Sequence, residues 1–410
     1  MTPLETFRTE VRSWLEGTVP ATLRGLPIAV PALAGAQPEV PELVADRARY
    51  LKLMAERGFT APTWPEAYGG AGLSSEEARV LREELERLAL APALAGMGVA
   101  MIGPTLLVHG NEAQKRKYLP KIASGEQRWC QGFSEPGAGS DLAALRTSAR
   151  LDATGEHYVI NGQKIWTSGA QLANWMFMLV RTDERLKQQG ITFLLIDMQS
   201  PGIEVRPIRL ISGTSMFCEV FFNDVLAHVS DVVGPVNGGW SVAKTLLNFE
   251  RSGMGTQTLG GGPRRSATSG QHIAALAKAN VGERDGAIDD PSLRDQVARL
   301  LLDELALKLT LERAAATRKS TGSTGPEMSL FKLYQSELGQ RRDELTLALQ
   351  GSAALSWDGH GHGRDNAPIA PDSAEAQTRQ WLAAKATTIY GGSSEIQRNI
   401  IAKRILRLPS

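Results

Sequence analysis

The chain has 410 residues and a formal net charge of +1, with 42% hydrophobic and 22% charged residues. That length permits two or three domains with large cores, and the balanced charge gives no electrostatic footing for nucleic acid or an anionic membrane as main partner. Two cysteines, Cys130 and Cys218, are too few for a disulfide framework, so a reducing, cytoplasmic setting is expected.

In chain order, the N-terminus reads as an amphipathic helix with Phe7, Val11, Trp14 and Leu15 turned inward, not as a targeting signal. Leu51, Met54 and Ala55 mark a further helix, and Leu81, Leu85 and Leu88 mark another within 74–90. Pro and Gly in 62–70 break the chain between them. No apolar run approaches the ~20 residues needed to cross a bilayer. Residues 1–127 are therefore expected to form an N-terminal helical domain. From 128 to 233 the character changes: 175–180, 191–198, 203–210 and 219–223 are short apolar or alternating runs, which predict a β domain. Runs at 157–160 and 163–166 flank Asn161-Gly162, the strongest two-residue hairpin signal. From 234 to 410 helices return, at 241–259, 293–320, 329–351 and 374–390. A last helix is expected from Ser393-Ser394 through Arg404, with Ser394 and Gln397 at capping-box spacing. Residues 357–371, rich in Gly, Asp, His and Pro, read as an inserted surface loop. Helices, a β domain and helices again make an α+β chain without βαβ alternation.

Glu250 is the most informative residue. At about 100° per residue, Trp240, Ala243, Leu246, Leu247 and Met254 share one helix side with Glu250 in its middle. A carboxylate on a buried face must be paired or protonated, and desolvation raises its pKa toward what a general base near neutral pH requires. Glu250 is thus either a base or one half of a buried ion pair with Arg251 or another Arg. Three segments add to it. The small-residue loop 131–141 can expose N–H groups and hydroxyls to an anionic or carbonyl-bearing ligand, or be a plain turn. Residues 161–170 set Trp166 beside hydroxyls at a strand end, suited to stacking on a planar ring or to a core. In 389–399 a glycine turn feeds a capped helix start. Gly253-Met254-Gly255 with Gly260-Gly261-Gly262 imitates a dinucleotide fingerprint but does not follow a strand. His360-Gly361-His362 has no partner at metal-ligand spacing, so no metal is expected. Residues 327–332, after Gly325-Pro326, read as a helix start.

In their order and spacing, Ser134-Glu135-Pro136-Gly137-Ala138-Gly139-Ser140-Asp141 and Gly391-Gly392-Ser393-Ser394-Glu395-Ile396-Gln397-Arg398 resemble the acyl-CoA dehydrogenase family, over nearly the whole chain. The resemblance implies an N-terminal helical domain, a middle β-barrel or sandwich domain and a C-terminal four-helix bundle. FAD would lie between the last two, completed by a neighbouring subunit of a homotetramer, or of a heterotetramer with a related chain. By resemblance, Gln131, Phe133 and Ser134 line the flavin ring, and Gly139 and Ser140 meet its pyrophosphate and the acyl-CoA. Trp166 and Ser168 cover the other side of the flavin. Arg318 reaches the FAD of the adjacent subunit, Gln350 and Gly351 form the adenosine turn, and Ser393 and Glu395 contact FAD. Ser140, Tyr390 and Gly391 would meet substrate. Many members carry the catalytic Glu directly after the Ile-Tyr that is Ile389-Tyr390 here, where this chain has Gly391. Other branches carry it on an earlier bundle helix directly before an Arg, which Glu250-Arg251 matches. Gln131 stands where an aromatic or hydrophobic residue is frequent. The implied reaction is α,β-dehydrogenation of an acyl-CoA thioester, with Glu250 as α-proton base, Arg251 orienting it, and hydride passing to flavin N5. An electron-transferring flavoprotein would take the electrons, as in β-oxidation of fatty acids or lipids. Two alternatives share the fold: a non-catalytic FAD-binding subunit of a heteromer, and a flavin oxidase or monooxygenase.

Overall fold

The computed structural model describes residues 2–26, 41–254, 269–321, 328–355 and 373–409, without the side chains of 251–254, 269–271, 315 and 318–321. The expected loop 357–371, Gly260-Gly261-Gly262, His360, His362 and Glu327 lie outside these residues, as do the side chains of Arg251 and Arg318. The chain forms two compact units, Met1–Ile208 with Ser215–Pro263 and Arg209–Thr214 with Arg264–Ser410. The fold is N-terminal helices, a middle β domain and C-terminal helices, as expected. No helix among the described residues is long and apolar enough to cross a membrane.

The first unit opens with α1 (Pro3–Thr18), α2 (Pro41–Glu56), α3 (Ser75–Arg87), α4 (Gly103–His109) and α5 (Glu112–Ala123). Thr2, Ser74 and Asn111 cap α1, α3 and α5, each in a reciprocal box with Glu5, Glu77 or Gln114, so the starts of these helices are set locally. Val11, Leu15, Leu81 and Leu85 form the buried seam of α1 and α3. One carboxylate is buried with them: Glu84, 1% exposed, collects Arg8, Arg12 and Arg87 at 2.8–3.0 Å.

The β domain is an eight-stranded sheet of β1 (Trp129–Gly132), β2 (Ser148–Leu151), β3 (His157–Ser168), β4 (Trp175–Arg181), β5 (Ile191–Asp197), β6 (Ile203–Ile208), β7 (Phe217–His228) and β8 (Val232–Val233). The order is β6-β7-β3-β2-β4-β5-β8, with β1 parallel to β4. β4 and β5 are buried almost throughout, as their unbroken apolar sequences require of strands covered on both faces. Phe177, Leu179, Phe193 and Leu195 enter one core, and Met176, Met178, Val180, Leu194 and Ile196 the other. Asn161-Gly162 makes no hairpin. β3 runs through it as one strand, with a register break between Ile160 and Gly162. Asn161 spends its side chain on Asp224 of β7 (Nδ2 to Oδ1, 2.8 Å) and accepts that residue's N–H. Gly162, at φ +147°, lies where a Cβ would come within 2.7 Å of Thr147. The pair makes a bulge, the other common use of such residues in a strand. α6 (Gly239–Met254) completes the unit, with Val242, Ala243 and Leu246 in the same core as Phe177 and Phe193.

The second unit contains α7 (Ser269–Val281), the hairpin β9 (Glu283–Arg284) and β10 (Ala287–Ile288), α8 (Pro291–Thr321), α9 (Met328–Gln350), α10 (Ala374–Ala384) and α11 (Ser394–Ile400). Ile273, Ala277, Ile288, Val297, Leu300, Leu338 and Leu345 form its core. The helix expected over 374–390 stops at Ala384 and tightens to a 3₁₀ turn, Lys385–Thr388. Side chains of α9 take the carbonyls released there. Gln340 Nε2 donates to the oxygens of Ala384 (3.0 Å) and Lys385 (3.3 Å), and Lys332 Nζ to that of Thr387 (2.8 Å). The expected Ser394–Gln397 capping box is also absent. Ser393, in extended conformation, is the cap and accepts from the Ile396 N–H, while Gln397 turns back to the Gly391 and Gly392 carbonyls.

Candidate functional site

The loop after β1 is fastened from below and open above. Gly132 admits no side chain, since a Cβ would fall 2.5 Å from Met176 Sδ. Phe133 is buried edge-on against Phe177 and Phe193 at 6.0 and 6.2 Å. Gln131, opposite Phe177 in the ladder, and Ser134 are partly exposed. Gly139 and Ser140 are exposed, and a Cβ on Gly137 or Gly139 would meet nothing within 4 Å. Arg181 anchors the following turn by donating to the carbonyls of Ala143 (2.7 Å) and Leu145 (3.2 Å).

The end of β3 faces this loop. Between Lys164 and Thr167 the β3–β7 register breaks again. The Ile165 N–H leaves the ladder for the Ser134 carbonyl at 2.9 Å. Trp166 takes the left-handed conformation, φ +60°, which costs a non-glycine residue about 1–2 kcal/mol. It is 54% exposed, with its ring edge-to-face on Phe217 at 6.1 Å. Ser168 is partly exposed and pairs with Phe217. Thr167 between them is fully buried, its Oγ1 without a partner. A bulge that re-aims one large aromatic is a common device beside binding sites. The structure thus ties Phe133 and Ser134 to Lys164 and Ile165, the residues that immediately precede Trp166 on β3.

Two residues that the motif reading left without a role hold this arrangement. Lys164, 0% exposed, donates from Nζ to Glu135 Oε1 at 2.7 Å and to the Phe133 carbonyl at 3.2 Å. Glu135 also accepts the N–H groups of Arg146 (2.7 Å) and Thr147 (2.9 Å). Burial lowers the Lys164 ammonium to about 8, against the pull of Glu135. Burial works to raise the Glu135 carboxyl, but Lys164 and its other donors bring it below the ordinary value. The available signal was a lysine at an inward position of an alternating strand, Gln163-Lys164-Ile165-Trp166.

Glu250 is partly exposed, not buried as periodicity predicted. Leu246 and Ala243, four and seven residues earlier on its side of α6, are buried. Among the described side chains of α6, the core contacts come from Val242, Ala243 and Leu246, with Trp240 and Leu247 packed against them, and Glu250 lies past this set. His109 Nε2 and Thr245 Oγ1, 2.9 Å apart, tie α4 to α6.

In the second unit, Ile389 and Tyr390 are 68% and 42% exposed, and Gly391 (φ +66°) and Gly392 (φ +89°) are left-handed. Ser393 caps α11 and Glu395 is exposed in its first turn. The turn is held by Lys332, Gln340 and Gln397, none of which the motif reading assigned to it. Gln350 ends α9 in contact with Gln377, with its Oε1 buried and unpartnered. Gly351 at φ +58° stops the helix. Among the described residues no group of His, Cys, Asp or Glu side chains is placed to hold a metal ion.

In the first unit, an exposed indole and a small-residue loop carrying hydroxyls suit a planar, phosphate-bearing ligand. The chain matches the family models for the acyl-CoA dehydrogenase N-terminal domain over residues 28–126, the middle domain over 130–225 and the C-terminal domain over 237–406. It is 36% identical over 415 residues to the acyl-CoA dehydrogenase IpdE1 of Mycobacterium tuberculosis (strain ATCC 25618 / H37Rv), covering 100% of this chain and 99% of that protein. Among solved structures, it resembles the Tcur3481-Tcur3483 steroid ACAD with a TM-score of 0.73 at 29% identity, over 100% of this chain and 98% of that one. It also resembles the ChsE4-ChsE5 complex from Mycobacterium tuberculosis with a TM-score of 0.70 at 26% identity, over 100% and 98%. The chain belongs to the acyl-CoA dehydrogenase family of flavin-dependent oxidoreductases.

Proposed function

We propose that the chain catalyses FAD-dependent α,β-dehydrogenation of an acyl-CoA thioester to the 2-enoyl-CoA, with Glu250 as the base. The observation that carries the reaction is the end-to-end family match, in all three domains. The residues present fit FAD. In the first unit, Trp166 offers a ring face, Ser134 and Ser168 offer hydroxyls, and Gly139 and Ser140 offer donors for phosphate oxygens; Ser393, in the second unit, contacts FAD by family analogy. By family analogy Gln350, whose amide oxygen is unpartnered, and Gly351 form the adenosine turn. Gln131 and Phe133 floor the ring site. Arg318 and Glu395 contact FAD by family analogy.

FAD, when bound, supplies the acceptor for the hydride from Cβ. The chain's residues do the rest. Glu250 takes the proton from Cα, and Arg251 orients or charge-balances it. Gly391, after Tyr390, cannot take a proton, which leaves the α6 acid as the base. Tyr390 and Gly391 line the substrate, and backbone N–H groups near them polarise the thioester carbonyl, which acidifies the α proton and steadies the developing enolate. An electron-transferring flavoprotein takes the electrons. Similarity to the steroid ACAD favours a bulky, ring-bearing acyl group over a short straight chain. Similarity to a two-protein complex supports a heterotetramer with a related chain. It also sustains a second reading, in which this chain binds FAD and its partner carries the base.

The test is an anaerobic titration of FAD-loaded protein with acyl-CoAs of graded size, following the oxidised flavin band, alone and with its genomic neighbour co-expressed. Bleaching by ring-bearing substrates is expected. Glu250→Gln should retain FAD and lose bleaching, while full reduction in that variant removes Glu250 from the mechanism and turns the case toward the partner.

A further inference from the structure

A buried ion pair is seldom retained for stability alone. Two apolar residues of similar volume often serve as well or better, because desolving both charges offsets most of their attraction. Lys164 and Glu135 nevertheless occupy the interior immediately beneath Ser134, with Lys164 0% exposed and Glu135 8% exposed. Their contacts fall on the two residues that flank Ser134 in sequence: Lys164 Nζ donates to the Phe133 carbonyl at 3.2 Å and to the Glu135 carboxylate at 2.7 Å. The carbonyl of Ser134 itself receives the Ile165 N–H at 2.9 Å.

The geometry of the peptide bond gives these contacts a direction. In a trans peptide the C=O and the following N–H point opposite ways. Drawing the Phe133 carbonyl inward to Lys164 turns the Ser134 N–H outward, and no acceptor among the described residues takes it. One residue along β3 from Ile165 stands Trp166, exposed and left-handed. The same inward side chain therefore sets the aim of one backbone donor and, through its own strand, the separation of that donor from the indole.

We infer that Lys164, paired with Glu135, is a positioning residue for the cofactor: it holds the Phe133–Ser134 peptide so that the Ser134 N–H is presented to bound flavin at a set distance from Trp166. This rests on the reading that Ser134 and Trp166 face FAD. Arg181 faces the same interior and is fully engaged with the carbonyls of Ala143, Leu145, Leu186 and Lys187, so it does not replace Lys164 as the donor to Phe133.

The test compares wild type, Lys164→Met and Lys164→Met/Glu135→Gln. Each is assayed for apoprotein melting, for FAD affinity by fluorescence quenching, and for the visible flavin spectrum of the loaded protein. Lys164→Met alone strands a buried carboxylate and should lower both melting temperature and affinity. The double variant removes that stranded charge, and its melting should return toward wild type. Its FAD affinity should stay about tenfold or more below wild type, in the range expected for a lost charged hydrogen bond, and its flavin band should shift. A double variant with wild-type affinity and spectrum overturns the positioning role and leaves the pair a structural staple. Trp166→Asn, run alongside, keeps the two failures apart. If FAD binding is indifferent to that change as well, or wild type binds no FAD, it is the reading of the site that falls.

Discussion

Gln397→Met tests whether the turn carrying Tyr390 and Gly391 is held in place from α11. Gln397 is 5% exposed, and its Nε2 donates to the carbonyls of Gly391 and Gly392, each at 3.3 Å. The fit is close, since a Cβ on Gly392 would fall 2.4 Å from that nitrogen. A neutral hydrogen bond contributes about 0.5–1.5 kcal/mol net, and both of these are long, so the pair is worth about 1–2 kcal/mol. Methionine keeps the length and the apolar volume but removes the donor. If the whole loss appears as misplacement of the turn during turnover, kcat/KM falls about 5–30-fold, at tenfold per ~1.4 kcal/mol. The accompanying change in melting temperature should be small, about 2–4 °C per kcal/mol for a unit of this size. The assay is the rate of anaerobic flavin reduction by the substrate class that bleaches wild type, read beside a thermal melt. A kcat/KM within twofold of wild type would refute the argument that these two contacts place the turn. A large fall in melting temperature with unchanged kinetics would assign Gln397 to stability alone.

Two further predictions come from the first unit. The Glu84 carboxyl is held down to about 2, from an ordinary 4.5, chiefly by Arg12, with Arg87 and Arg8 adding to it against burial. Between those values the unfolded chain binds more protons than the folded one. The stabilisation is therefore present above about 4.5 and lost as pH falls toward 2. Urea midpoints for Glu84→Gln should be lower than wild type at neutral pH and should vary less across that acid window, and parallel profiles would show that Glu84 does not drive it. Trp166→Asn replaces an indole at φ +60° with a residue that tolerates the left-handed region. The apoprotein should melt no lower than wild type while FAD affinity falls. Unchanged affinity would mean that Trp166 does not cover the cofactor.

The parts of the fold set by local pattern were legible in the sequence. β4 and β5 were readable because both their faces are apolar, and α6 because Trp240, Ala243, Leu246 and Leu247 repeat at helical spacing. Reading failed where one residue type serves two ends. Asn161-Gly162 fits a tight turn and a bulge equally well at the level of two residues, and the decision came from Asp224 on another strand and Thr147 behind the glycine. Ser393 and Ser394 can each begin a helix, and Gln397, the partner of the expected cap, was drawn off by Gly391 and Gly392. Periodicity placed Glu250 on the right side of α6 but not its burial, because what covers a helix end depends on the neighbours that reach it. The motifs located both candidate loops. The side chains that hold them were missed because they come from elements distant in sequence and carry no motif of their own.

Those holding side chains follow one rule in two separate places. At Phe133, Lys164 takes a backbone carbonyl inward. Beyond α10, Gln340 takes Ala384 and Lys385, Lys332 takes Thr387, and Gln397 takes Gly391 and Gly392. In each case a donor on a regular element takes the oxygen of a helix end or of an irregular segment, where no ladder or helical partner follows. Because C=O and N–H of a trans peptide oppose each other, tying the oxygens inward turns the next N–H groups of the irregular segments, those of Ser134, Gly392 and Ser393, the other way. A loop built like this is a row of donors, matched to electron-rich ligands such as a flavin edge, a phosphate or a thioester carbonyl that gains charge as its α proton leaves. Glycine at 391 and 392 is required by the same geometry, since both backbones are left-handed. With glycine at 391 the turn itself offers no proton acceptor, which is why the proposed base is sought on another element, at Glu250 of α6.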